Sequence, residues 1–311
     1  MTSTEAVRPP SGGEGAIAPG AHVARVDTRS HTVDGAPRRM GFFTDTSLCI
    51  GCKACEVACK EWNDVPDDGM TFTGNSYDNT TRLSASTWRH VAFIEQRVTL
   101  PLPLLGNSPE AEGLRSPAGT AAGALRWLMS SDVCKHCGSA ACLEVCPTGA
   151  LIRTEFGSVV VQDDVCNGCG YCVSACPFGV IGRRETDGGA HKCTLCYDRL
   201  RVDLMPACAT ACPTESIQFG PLDELRTHAR DRVSTLRGRG DEQARLYGDD
   251  PGDGVGGMGA FFLLLDDPEV YGLPPDPVSP TRHLPGMWRN AGLAAAGLAG
   301  LVAAALLGGR R

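Results

Sequence analysis

Cys166-Asn167-Gly168-Cys169-Gly170-Tyr171-Cys172-Val173-Ser174-Ala175-Cys176-Pro177 decides how the rest of this chain is read. Three cysteines at two-residue gaps, a fourth after three more residues, then proline, form the bacterial run that holds an iron–sulfur cubane. The physical reason is reach. A loop this short wraps one cluster, bringing three thiolates to three irons and turning backbone N–H groups toward the inorganic sulfides. The fourth cysteine lies beyond the loop and serves a neighbouring cluster. Pro177 lacks an N–H and keeps the chain from continuing as helix.

The same grammar occurs three more times. Cys49, Cys52, Cys55 and Cys59 repeat the spacing, with Lys60 where proline stood. Cys134, Cys137, Cys142 and Cys146-Pro147 lengthen the middle gap by two residues, and Cys193, Cys196, Cys208 and Cys212-Pro213 lengthen it to eleven. Taken alone, the last set also fits zinc, which commonly uses two Cys-x-x-Cys pairs, so a zinc-binding scaffold without a redox role remains an alternative. Ala150–Arg153 and Ser158–Gln162 read as two strands around a turn at Glu155-Phe156-Gly157. Cluster loop, hairpin, cluster loop is the plan of a two-cluster ferredoxin.

The fourth-cysteine rule, applied to all four runs, predicts crossed ligand sets for four [4Fe-4S] clusters. Cluster 1 takes Cys49, Cys52, Cys55 and Cys212. Cluster 2 takes Cys59, Cys193, Cys196 and Cys208. Cluster 3 takes Cys134, Cys137, Cys142 and Cys176, and cluster 4 takes Cys146, Cys166, Cys169 and Cys172. All sixteen cysteines are then used, and neither His136 nor His191 is needed as a ligand. A row of such clusters moves single electrons. We find no nucleophile–base pair and no phosphate-cradling loop, so no catalytic residue is expected.

The remaining composition agrees. Among 311 residues, 38 are Gly and 21 Pro, while aromatic residues make up 6%, a balance rich in loops and poor in core formers. An even cysteine count also suits a secreted disulfide scaffold, but disulfides do not impose quartets ending in Cys-x-x-x-Cys. A net charge of −7 argues against a nucleic-acid partner. The predicted fold class is α+β and loop-rich: two bacterial-ferredoxin-like two-cluster units, one inserted into the other, plus a C-terminal single transmembrane helix. Residues 1–40 read as a disordered or loosely docked arm without an apolar signal run, and Arg38-Arg39 as a solvated pair. Residues 41–133 and 177–220 form the split unit, and 134–176 the inserted one.

Within the split unit, Thr87–Glu95 and Leu125–Met129 have strand character, with a long loop at 101–123. Lys53 and Lys60 read as solvated side chains, the alternative being cations that raise a cluster's potential. Residues 221–288 hold a helix, a short strand and a proline-rich docking arm. Leu222, Leu225, Ala229, Val233 and Leu236 mark the apolar face of that helix. Gly252–Gly259 reads as a flexible hinge, Ala260–Leu265 as a buried strand, and Pro268–Pro285 as an extended arm. Residues 289–311 hold the membrane helix and tail. Ala291–Leu307 has no polar side chain, which makes it a span candidate for the lipid bilayer.

Three stretches carry a family resemblance. Phe42–Cys55 with Cys59-Lys60-Glu61-Trp62-Asn63, Ser131–Cys137, and Lys192–Arg199 resemble the iron–sulfur (β) subunit of membrane-bound formate dehydrogenase. That family lies among the four-cluster ferredoxin-type electron-transfer subunits of the DMSO reductase superfamily. The resemblance implies a molybdopterin-containing catalytic α subunit that oxidises formate. It also implies a membrane cytochrome b γ subunit that delivers electrons to quinone, and a cluster domain carried outside the cytoplasm. It carries the same crossed pattern onto all sixteen cysteines. The equivalent subunit of a hydrogenase or of a sulfur-compound or DMSO reductase is the alternative within that class.

Overall fold

The computed structural model describes residues 32–33, 36–69, 72–75, 77–98 and 124–308. The readings of residues 1–31 as an arm and 101–123 as a loop lie outside the described residues. The main elements, in chain order, are β1 (Met40–Asp45), α1 (Ala54–Trp62), β2 (Arg89–Val98), β3 (Ala124–Val133), α2 (Ala141–Glu144), β4 (Leu151–Arg153), β5 (Val159–Val161) and α3 (Tyr171–Ala175). They continue with α4 (Tyr197–Leu200), α5 (Ala207–Thr210), β6 (Ile217–Pro221), α6 (Leu222–Gly238), β7 (Arg245–Tyr247), β8 (Ala260–Leu264) and α7 (Leu284–Gly308).

One four-stranded sheet, in the order β6-β1-β8-β7, ties distant parts of the sequence together. β1 pairs antiparallel with β6, Phe42 opposite Phe219, and parallel with β8, Ala260 opposite Phe42. Every residue of β1 is buried, because this strand is central and covered on both faces. The helix α6 lies against the sheet through Leu222, Leu225, Ala229, Val233 and Leu236, the face expected from its periodicity. Each such Leu or Val stabilises the packing by roughly 1.5–3 kcal/mol. A second core surrounds the cysteines themselves.

The hairpin β2–β3 is longer than the sequence suggested, running ten residues on each strand with Arg89 opposite Val133. Its second strand, β3, leads directly into the second cysteine run. The Gly252–Gly259 stretch is not a hinge. Val255 and Met258 are buried, and the stretch accepts backbone hydrogen bonds from Gly138 and Ser139 at 2.8 and 2.7 Å. A Cβ at 138 would collide with the Gly256 carbonyl, so the contact requires glycine. The proline-rich stretch is only partly extended: Pro268–Tyr271 forms a 3-10 turn and Tyr271 is buried.

The arm boundary also moves. Arg38 is ion-paired with Asp223 and Glu224, Arg39 donates to the His136 carbonyl, and Met40 is buried. The final helix starts at Leu284, earlier than expected. An 18-residue window within its Leu284–Leu307 portion has a mean hydropathy of 1.8, and its apolar side chains Leu298, Leu301 and Leu306 are exposed. At 1.5 Å per residue, 24 residues reach about 36 Å, enough to cross a hydrocarbon core of about 30 Å.

Candidate metal centres

Short helices explain why the cysteines fall where they do. Cys55 and Cys59 are both buried on α1, one turn apart on the same face. Four residues rise about 6 Å, so one sulfur faces one site while the other faces the next. The other three runs repeat the device. Cys142 lies on α2 with Cys146 just beyond it, Cys172 on α3 with Cys176 at its end, and Cys208 on α5 with Cys212 two residues past it.

Three pockets collect cysteines from different runs. One is lined by Cys49, Cys52 and Cys55 together with Cys212. A second is lined by Cys59 together with Cys193, Cys196 and Cys208. A third brings Cys134, Cys137 and Cys142 to Cys176. The remaining four gather around Cys172, whose thiol is raised by burial and by its neighbours Cys166, Cys169 and Cys146. None of the sixteen cysteines is in a disulfide.

The sites form a row. Cys55 of the first pocket feels Cys208 of the second. Cys193 of the second feels Cys134 of the third, and Cys142 of the third feels Cys172 of the remaining group. All four cysteines of the second pocket are buried, whereas Cys52 and Cys169, at opposite ends of the row, are exposed.

The donor chemistry fits iron–sulfur clusters. Burial pushes the Cys55 thiol up to about 11 and the Cys193 thiol up to about 12. Burial, followed by repulsion from Cys193 and Cys208, raises Cys59 further. Such crowded thiols ionise only beside a compensating cation, which a cluster's iron supplies. N–H groups are also aimed at sulfur. At Cys146 burial pushes the thiol up, but the Leu151 N–H, the Thr148 hydroxyl and further backbone donors outweigh it, leaving the thiol below its ordinary value. His136 lines the third pocket, and its Nδ1 accepts from the Val159 N–H at 3.1 Å. Burial holds this ring neutral, so its proton sits on Nε2, which is buried without an acceptor among the described residues. That orphaned donor suits a wall facing inorganic sulfide.

Sequence reasoning missed the buried charges. Arg89 shares a strand face with buried Val91, and Lys135 and Lys192 each adjoin a cysteine. Those positions were the available signals. Lys53 and Lys60 are not simply solvated: Lys53 pairs with Glu56 and Asp78, and Lys60 with Asp68.

A scaffold that gathers its cysteines into a series of separate sites defines an iron–sulfur carrier. Families described as "4Fe-4S dicluster domain" match residues 48–150 and 125–222. Two dicluster matches amount to four [4Fe-4S] clusters, and sixteen cysteines supply four ligands to each. The sequence is 40% identical over 259 residues to the "Formate dehydrogenase, nitrate-inducible, iron-sulfur subunit" of Escherichia coli, covering 81% of this protein and 78% of that one. It is 41% identical over 237 residues to the "Formate dehydrogenase iron-sulfur subunit" of Haemophilus influenzae, covering 75% and 68%. It is 35% identical over 186 residues to the B subunit of the anaerobic dimethyl sulfoxide reductase of Escherichia coli, covering 60% and 75%. The protein belongs to the family of formate dehydrogenase iron–sulfur subunits.

Proposed function

We propose that this protein is the electron-transfer subunit of a formate dehydrogenase complex. It passes electrons from a molybdenum- or tungsten-containing catalytic subunit to a membrane cytochrome b and quinone. Its relatives are iron–sulfur subunits rather than catalysts. The ligand sets we propose are the crossed ones, with each run giving three cysteines to one cluster and the fourth to its neighbour. The observation that carries this reading is that three pockets each collect cysteines from separate runs.

Bound [4Fe-4S] clusters each accept and release single electrons. The protein's own part is to hold them in line, exclude water from the inner thiols and fix the charge around them. The exposed Cys52 and Cys169 mark the two ends of the row, where electrons enter and leave. The nesting of one two-cluster unit inside another is supported by the pairing of Met40–Asp45 with Ile217–Pro221, which closes the outer unit. The apolar helix anchors the complex in the bilayer through 291–307 and meets the cytochrome subunit there.

Purification from membranes tests this reading. The expected preparation contains a molybdopterin-bearing partner, reduces quinone with formate, and holds at least about sixteen irons per copy of this protein, four for each cubane, besides the haem iron of the cytochrome. Near-stoichiometric zinc without acid-labile sulfide refutes it. A sulfoxide reductase partner is the second reading, favoured by the 35% identical match, which covers less of this sequence than the formate dehydrogenase relatives do.

A further inference from the structure

Two of the most deeply buried side chains are cations without a carboxylate partner among the described residues. Arg89 is 1% exposed and Lys192 is 2% exposed. Arg89 donates from Nη1 to the Ser131 carbonyl and hydroxyl at 3.2 and 3.3 Å, and from Nη2 to Cys208 Sγ at 3.3 Å. Its guanidinium lies 4.8 Å from the centre of the Phe42 ring, and its Nε has no partner among the described residues. Lys192 donates to the Val159 and Cys193 carbonyls. Lys135, equally buried, differs because it pairs with Asp132. A buried cation facing only dipoles is strongly unfavourable, so both positions presuppose a nearby anion.

Their places in the row supply that anion. Arg89 lines the second pocket, where it meets Cys208, and it shares the Ser131 hydroxyl with Cys55 of the first set, Ser131 Oγ lying 3.2 Å from Cys55 Sγ. Lys192 donates to the backbone carbonyls of Cys193, a member of the second set, and of Val159, which lines the pocket of the third. Each cation therefore stands at a junction, Arg89 between clusters 1 and 2 and Lys192 between clusters 2 and 3. No comparable uncompensated cation stands between the third and fourth sets among the described residues.

We propose that Arg89 and Lys192 are charge-setting residues of the electron path, raising the reduction potentials of the clusters on either side of each junction. The inference rests on the crossed ligand sets. A fixed positive charge stabilises the cluster's extra electron, and its effect is strong in a site from which water is excluded. Cluster 2 is held between both cations and depends on both.

The test is an EPR-monitored redox titration of the membrane complex, with signals assigned through single-cysteine variants of each set. Arg89→Gln is expected to disfavour reduction of clusters 1 and 2 at least tenfold, or about 59 mV for one electron. Lys192→Met does the same at clusters 2 and 3. Cluster 4 stays with the control, Arg82→Gln, an exposed position. Arg89→Lys and Lys192→Arg, which keep the charge, recover most of each shift. Potentials that move no further than in the control overturn the proposal, as do charge-keeping variants that shift as far as the neutral ones. Should Arg89→Gln not assemble, the Lys192 pair decides. A wild-type protein lacking the four clusters defeats the ligand reading itself, whereas four clusters with unmoved potentials defeat only this inference.

Discussion

Asp45→Asn removes one charge where β1 leads into the first cysteine loop. The Asp45 side chain is 1% exposed and accepts from Arg232 Nε on α6 at 2.8 Å. It also accepts from the Ser47 N–H and hydroxyl at 2.9 and 2.6 Å, and so pins the loop ahead of Cys49. Asparagine keeps the shape and one acceptor oxygen but leaves Arg232 facing an amide. Breaking a buried pair costs about 3–5 kcal/mol. Arg232 is 21% exposed, so water takes up part of its charge, and the lower end, about 3 kcal/mol, applies. At about 1.4 kcal/mol per tenfold, the opened loop becomes about 100-fold more populated. Iron loss to an external chelator through local opening follows that population when reclosing is fast. The expected result is release of iron from the first set about 100-fold faster, with the other sets unchanged. No acceleration, or equal acceleration of all the iron, refutes the reasoning.

Other outcomes follow from packing. Gly138→Val drives a side chain into the Gly256 carbonyl, and backbone cannot yield there as a flexible side chain would. Loss of the third cluster's EPR signal is expected, with the iron content falling accordingly. Leu225→Ala, in the α6 core, is expected to lower stability by about 2–5 kcal/mol, read as a shifted denaturant midpoint. Truncation ahead of Leu284 is expected to leave the iron content intact and shift the protein from the membrane fraction to the soluble one, scored by sedimentation and iron analysis.

Local signals made much of this molecule readable. The cysteine spacing gave the four runs, and the 3.6-residue period of Leu222, Leu225, Ala229, Val233 and Leu236 gave the face that α6 buries. The hairpin around Gly157 was legible because its strands are adjacent in sequence. What stayed hidden depends on partners far away along the sequence. Phe42 pairs with Phe219 and Ala260, and nothing near β1 announces either neighbour. Gly252–Gly259 has the composition of a hinge, yet its carbonyls are taken up by the second cysteine loop. Lys53 looks like a surface lysine until Asp78 comes alongside it. Arg89 looks like a strand-surface charge until its face proves to be the one that meets the sulfurs.

Cys176→Ser tests the crossing most directly. Cys176 belongs by sequence to the run of Cys166, Cys169 and Cys172, but lines the pocket of Cys134, Cys137 and Cys142. The measurement is the EPR spectrum of the reduced complex, set beside those of Cys137→Ser and Cys169→Ser. The account predicts that Cys176→Ser perturbs the signal altered by Cys137→Ser and leaves intact the one altered by Cys169→Ser. If Cys176→Ser and Cys169→Ser instead alter the same signal, each run closes on its own cluster and the account is contradicted.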